Sequence, residues 1–130
     1  MDPHFLKIKN YLTELAFSIT GENADTQVFV VEKEANGIKN MVIACADPIV
    51  IMEQQLFQVK KDDKEVYKAL LKKNRDIIHG AFVLADDGKT IIFRDTLQIE
   101  NLDKNELEGS LNSLSLLLSE YHNEIVNFSS

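Results

Sequence analysis

Three observations predict an α+β fold, an antiparallel sheet packed with three helices in the order α-β-β-β-α-β-β-α. Both ends of the chain carry apolar residues at helical spacing, and the stretches between them are β-branched and aromatic runs bounded by turn residues. A short amphipathic segment around Val66 to Leu71 divides those strands into three and two. No Pro-, Gly- or Ser-rich linker and no internal repeat interrupts the 130 residues, so one domain over residues 1–130 is expected.

Asp2 before Pro3 has the chemistry of a helix cap and first-turn proline. Phe5, Ile8, Leu12, Leu15 and Ile19 then recur at helical spacing until Gly21, which predicts helix one over roughly residues 3–20. A second stripe of Leu6, Tyr11 and Phe17 gives this helix more apolar surface than contact with one sheet face demands. Val28-Phe29-Val30-Val31 and Met41-Val42-Ile43-Ala44-Cys45 read as antiparallel strands joined through Asn36-Gly37. Asp47-Pro48 restarts the chain before a third strand, Ile49 to Met52 and Leu56 to Val59, with a bulge or bend expected at Glu53-Gln54-Gln55.

Asp62 and Glu65 have capping-box spacing, and Val66, Ala69 and Leu70 form one face of a short helix, with Tyr67 and Leu71 beside it. Asn74 stands where a left-handed residue commonly ends a helix. Strands four and five, Ala81 to Ala85 and Thr90 to Ile99, meet through Asp86-Asp87-Gly88. Asp103 and Glu106 repeat the capping spacing, after which Leu107, Leu111, Leu114, Leu118, Tyr121 and Ile125 mark a final helix, with Leu116 and Leu117 off its stripe. Strands such as Val28 to Val31 and Ile49 to Met52 are apolar on both sides, which implies cover on both sheet faces. Three helices supply too little of it, and a partner chain would make up the deficit.

Composition narrows the function. A formal charge of -7 and a pI near 4.9 oppose nucleic-acid binding, whose free energy comes from Lys and Arg displacing counterions. Lys60-Lys61 precedes the middle helix and Lys72-Lys73 closes it, the second pair complementing the negative helix terminus. Cys45 is the one cysteine, so no internal disulfide forms and a buried structural thiol is expected. Neither a secretory signal nor a run of membrane-spanning length is present, which predicts a cytoplasmic protein with no membrane partner.

Several groups resemble chemistry without its context. Asp86-Asp87 suggests a paired-carboxylate site, but Asp-Gly is favoured hairpin chemistry, and the ligand spacing of a calcium loop is missing. His4, His79 and His122 are scattered, so neither metal nor cofactor is expected. Ser110, Ser113, Ser115 and Ser119 lack a partnered histidine and are expected to face water. Regular alternation puts Asp95 among Ile91, Phe93, Leu97 and Ile99, where a bulge or edge position turning it to solvent is the simplest resolution. No catalytic motif is organised, so a non-enzyme is expected.

The element order, together with Leu70-Leu71-x-x-Asn74, Phe82-x-Leu84, Asp87-Gly88 and Leu102-Asp103-x-x-Glu106-Leu107, resembles the type III secretion class I chaperone superfamily. Within it the chain is most similar to the small bacterial chaperone-like and sensory-transduction-regulator relatives. The resemblance implies three helices on a curved antiparallel sheet, an acidic cytoplasmic homodimer, and a protein or peptide client held in an extended form along apolar grooves. It places the dimer contact on the middle helix and its adjoining strand, here Val66, Tyr67, Leu70 and Leu71, and a client groove on Leu6, Phe17, Phe29 and Val31. A different reading of the same residues is a small-ligand sensor with a pocket between sheet and helix, anchored by Asp95 or Glu53.

Overall fold

The computed structural model describes residues 2–129. Helix α1 (Pro3–Glu14) leads into β1 (Ser18–Asn23) and β2 (Val28–Lys33). A 3-10 turn over Glu34–Asn36 precedes β3 (Ile38–Ala46) and β4 (Ile49–Gln58). Helix α2 (Lys64–Asn74), β5 (Ala81–Leu84), β6 (Thr90–Gln98) and α3 (Lys104–Phe128) complete the order. The six strands form one antiparallel sheet, ordered β1-β2-β3-β4-β6-β5. The α+β class holds, with one strand more than expected.

The extra strand comes from the tail of the expected first helix. Asp2 caps α1 as predicted, its carboxylate accepting from the backbone N–H groups of His4 and Phe5. The helix stops at Glu14, because Ala16 takes a left-handed φ of 65°. Phe17 N–H then bonds Leu12 C=O and Ala16 N–H bonds Thr13 C=O, the paired bonds of a Schellman ending. Glycine usually supplies that conformation, and an alanine in its place hid the stop. Ile19 consequently lies on β1, paired with Val31, rather than on α1.

The other caps agree with the sequence within a residue. Asp63 rather than Asp62 caps α2 by accepting from Glu65 N–H, and Asp103 caps α3 through Glu106 N–H. Asn74 is not a left-handed cap: it is the last residue of α2, and its amide clasps the backbone of Phe82. Gly80 has φ of 86°, and a Cβ there would fall 2.4 Å from the Phe93 ring, so only glycine lets the chain enter β5 this close to β6.

All three helices contribute to one core on one face of the sheet. Phe5, Ile8 and Leu12 of α1, Leu70 of α2, and Leu107, Leu111, Leu114 and Leu117 of α3 cluster with Phe29, Val31, Met41, Ile43, Val50, Met52, Ile91 and Phe93 of the strands. Phe5 stacks on Phe29 with ring centroids 4.1 Å apart. Leu117, expected off the stripe, is buried, whereas Leu116 is exposed.

The sheet divides along its middle. Pairing of β3 with β4 ends at Val42 opposite Glu53, because Asn40 adopts φ of 49° and bends β3 away. The bulge expected at Glu53 to Gln55 occurs one step later, where the β4–β6 register shifts between Gln55 and Phe57. Gln54 spans the resulting fork, donating to Gly37 C=O at 3.1 Å and accepting from Lys39 N–H at 3.1 Å. Its buried amide is satisfied by backbone groups that the missing ladder would otherwise leave open.

Candidate functional site

Antiparallel register fixes which side chains share the second face of the sheet. One row crosses it as Gly21, Val30, Val42, Glu53, Arg94 and Ala81. Asn23, Val28, Ala44, Ile51 and Thr96 form the row beside it, and Gln55, Ile92 and Val83 the row on the other side. Val28, Val30, Ile51, Ile92 and Val83 are half-buried and Val42 is 39% exposed, and none of them joins the core cluster. Helices shield one face of this sheet and leave an aliphatic second face open. The two-sided apolar pattern of the strands is thereby explained.

Near the centre of that face Arg94 Nη1 donates to Glu53 Oε1. The two residues sit opposite each other on β6 and β4, and each side chain keeps more than a third of its surface in solvent. Asp95, one residue further along, points to the helix side opposite Met52. There it accepts from the hydroxyl of Ser110 on α3 and from Thr96 N–H. Neither a bulge nor an edge turns Asp95 outward, because a helix serine meets it. Ser110 is 1% exposed, against the expectation that the α3 serines face water. Glu53 and Asp95 therefore lie on opposite faces: Asp95 meets α3 directly, whereas Glu53 lines a cleft of about 730 Å³ at the fork between β3 and β4, together with Gly37, Val42, Ile92 and Leu118 of α3.

A second apolar feature runs along the β5 edge. Tyr67, Leu70, Leu71, Asn74, Phe82, Val83, Leu84 and Ile91 line a groove of about 220 Å³. Leu71 is 69% exposed and Leu84 47% exposed on its rim, Leu70 is buried at its base, and Val66 is half-buried nearby. Tyr67 closes one end, its hydroxyl donating to Gly88 C=O at 3.2 Å, and partial burial together with the neighbouring Asp62 raises its pKa. Asn74 Nδ2 donates to Phe82 C=O at 3.0 Å and its Oδ1 accepts from Phe82 N–H at 2.8 Å. These are the outward main-chain groups of an edge strand, so the clasp blocks strand addition there. Of the residues expected at a dimer contact, Tyr67, Leu70 and Leu71 share this groove.

The residues expected in a client groove separate. Phe29 and Val31 are fully buried beneath α1 and cannot meet a partner while that helix stays docked, which corrects their assignment. Leu6 is exposed on the outer side of α1, and Phe17 is half-buried with the Lys33 ammonium 5.2 Å from its ring centre. Both flank β1, the other edge of the sheet. The open-face residues Val42, Glu53, Arg94 and Ile92 were not singled out together from the sequence. Alternation marked their strands as apolar on both sides, but only the register unites them.

Asp87 accepts from the Thr90 hydroxyl and from the N–H groups of Lys89 and Thr90, which hold its carboxyl at a pKa of about 2. Burial, with Asp2 contributing, pushes the Cys45 thiol up to about 11. Among the described residues no three His, Cys, Asp or Glu side chains come together as metal ligands, and no helix is long and apolar enough to cross a membrane.

YbjN from E. coli superposes with a TM-score of 0.71 at 14% identity, covering 94% of this chain and 93% of YbjN. SchA in the HopA1–SchA chaperone–effector complex gives 0.67 at 10% identity, over 95% of this chain and 98% of the other. The Yersinia pestis type III secretion chaperone SycH, solved with a stable fragment of YscM2, gives 0.57 at 15% identity over 97% and 99%. No curated protein sequence matches the chain. At these identities the structural likenesses establish the fold, while the family model CesT_Tir_1 matches residues 1–130 directly. An antiparallel sheet with helices on one face and a sequence match along its whole length place the chain in the CesT_Tir_1 family of type III secretion chaperones.

Proposed function

We propose that the protein is a non-enzymatic, chaperone-like binding module, a cytoplasmic homodimer that holds an extended apolar segment of a partner protein. The observation that carries this reading is the uncovered aliphatic face of Val28, Val30, Val42, Ile51, Ile92 and Val83. Apolar area is worth about 25 cal/mol per Å², so a few hundred Å² covered by a partner favours association by several kcal/mol before entropy is counted. The β5-edge groove is the self-contact, because its rim residues Leu71 and Leu84 are exposed while Asn74 closes the strand to pairing. Client contact extends over the open face toward α1 and the free β1 edge, where Leu6 and Phe17 lie. SchA and SycH were solved with an effector and a protein fragment respectively, which supports a protein client.

Sedimentation velocity at micromolar concentration tests the assembly, paired with uptake of the dye bis-ANS by the apolar surface. The expected result is a dimer that Leu71→Asp with Leu84→Asp converts to folded monomer, and dye uptake that Val42→Asp reduces. A wild-type monomer that takes up no dye overturns the reading.

A further inference from the structure

We infer that Glu53 and Arg94 form a main-chain clamp, which selects an extended peptide backbone as the occupant of the open sheet face. The inference rests on the partner-binding reading above and names the chemistry by which that face recognises its client.

The ion pair uses one carboxylate oxygen and one guanidinium nitrogen. Among the described residues no hydrogen bond occupies Glu53 Oε2, nor the remaining N–H groups of Arg94, and both side chains are part-exposed toward the open face. Aliphatic side chains surround them, with Val42 beside Glu53, Ile51 two residues before it on β4, and Ile92 two residues before Arg94 on β6. A partner that covers these aliphatics also covers the charges. Taking the unbonded oxygen and N–H groups of an ion pair out of water is costly unless the partner returns their hydrogen bonds. The occupant must therefore bring at least one donor for the carboxylate and at least one acceptor for the guanidinium, close together between apolar contacts.

An extended peptide does this at every second residue, because the N–H and C=O of one residue point to the same side of a strand. Glu53 and Arg94 are direct cross-strand partners, so one residue of an extended segment crossing the face meets both side chains. Side chains on either side of the clamped residue reach Val42, Ile51 and Ile92. An amphipathic helix spends its backbone groups internally and offers the pair only what one side chain carries. Recognition through the main chain also needs no fixed client sequence, which suits a protein that holds extended segments.

Fluorescence anisotropy tests the clamp with three labelled probes: a decapeptide of alternating valine and serine, the same decapeptide N-methylated on alternate residues, and a leucine–lysine amphipathic helix. Wild-type protein is expected to bind the unmodified decapeptide most tightly. N-methylation and the paired substitution Glu53→Leu with Arg94→Leu should each weaken it about tenfold, the scale of one charge-assisted hydrogen bond. The paired substitution keeps the face aliphatic, and circular dichroism and sedimentation establish that it folds and assembles as wild type does; Glu53→Gln with Arg94→Gln serves if it does not. Decapeptide affinity that is unchanged or improved in the substituted protein overturns the clamp. If the helix binds wild type and variant alike, the clamp fails and partner binding stands. If wild type binds no probe at all, both fail.

Discussion

Asn74→Ala exposes how much the edge of the sheet depends on one side chain. The Asn74 amide makes two hydrogen bonds, at 3.0 Å and 2.8 Å, to the outward C=O and N–H of Phe82, a residue only 6% exposed. Each such bond contributes about 1 kcal/mol net, so the pair is worth about 2 kcal/mol. For 130 residues the unfolding entropy near the midpoint is about 0.27 kcal/mol/K, which converts that loss into a fall in Tm of about 7 °C. Asn74→Asp separates the two bonds. It keeps the acceptor for Phe82 N–H but sets a carboxylate against Phe82 C=O, so it should be at least as destabilising as alanine. Differential scanning calorimetry gives the magnitude, and amide hydrogen exchange gives the location. Phe82 N–H should lose its protection while the β5 amides that face β6 keep theirs. A Tm change under about 1 °C in both variants, with Phe82 still protected, refutes the clasp as an energetic element.

Four further outcomes follow from individual contacts. Ala16→Gly should raise stability by about 0.5–1 kcal/mol in a denaturant titration, since glycine removes the left-handed penalty at φ of 65° and gives part of the gain back as unfolded-state entropy. Ser110→Ala should cost about 2 kcal/mol by leaving the Asp95 carboxylate short of its partner, whereas Asp95→Leu should cost less, because the Ser110 hydroxyl can turn back to a carbonyl of its own helix. Asp87 is depressed from an ordinary 3.8 to about 2, so its contribution is complete above 3.8 and disappears as pH falls through about 2; Asp87→Asn should flatten the acid limb of the stability curve in that window. Cys45, buried and raised to about 11, should react with Ellman's reagent at neutral pH only at the rate of global unfolding.

Caps and turns were legible in the sequence because each is a local arrangement of one or two residue types. Asp2, Asp103 and the Asp87-Gly88 turn stand where those chemistries put them. The boundary between α1 and β1 was not, for a physical reason. Leu15 and Ile19 continue the helical spacing of Phe5, Ile8 and Leu12, and the stop is made by an alanine in a conformation that alanine seldom takes. Asn74 and Ser110 misled in the same way: helix-ending asparagines and helix-surface serines are common, while an edge-strand clasp and a carboxylate partner depend on what another element brings alongside.

The functional surface shows the same division between local and non-local information. Apolar residues on both sides of Val28 to Val31 and Ile49 to Met52 mark a second apolar face, and the row through Val30 and Val42, which no helix covers, is that face. Which charges sit in it was beyond any reading of spacing, since Glu53 and Arg94 lie 41 residues apart and meet only through the β4–β6 register. A single slip of that register would put Glu53 opposite Asp95 or Phe93, removing the ion pair and turning a β6 core residue outward. The alternation that buries Met52 and Phe93 thus also sets the two charges side by side on the face left open. Core packing, rather than any binding motif, determines where a partner would meet charge.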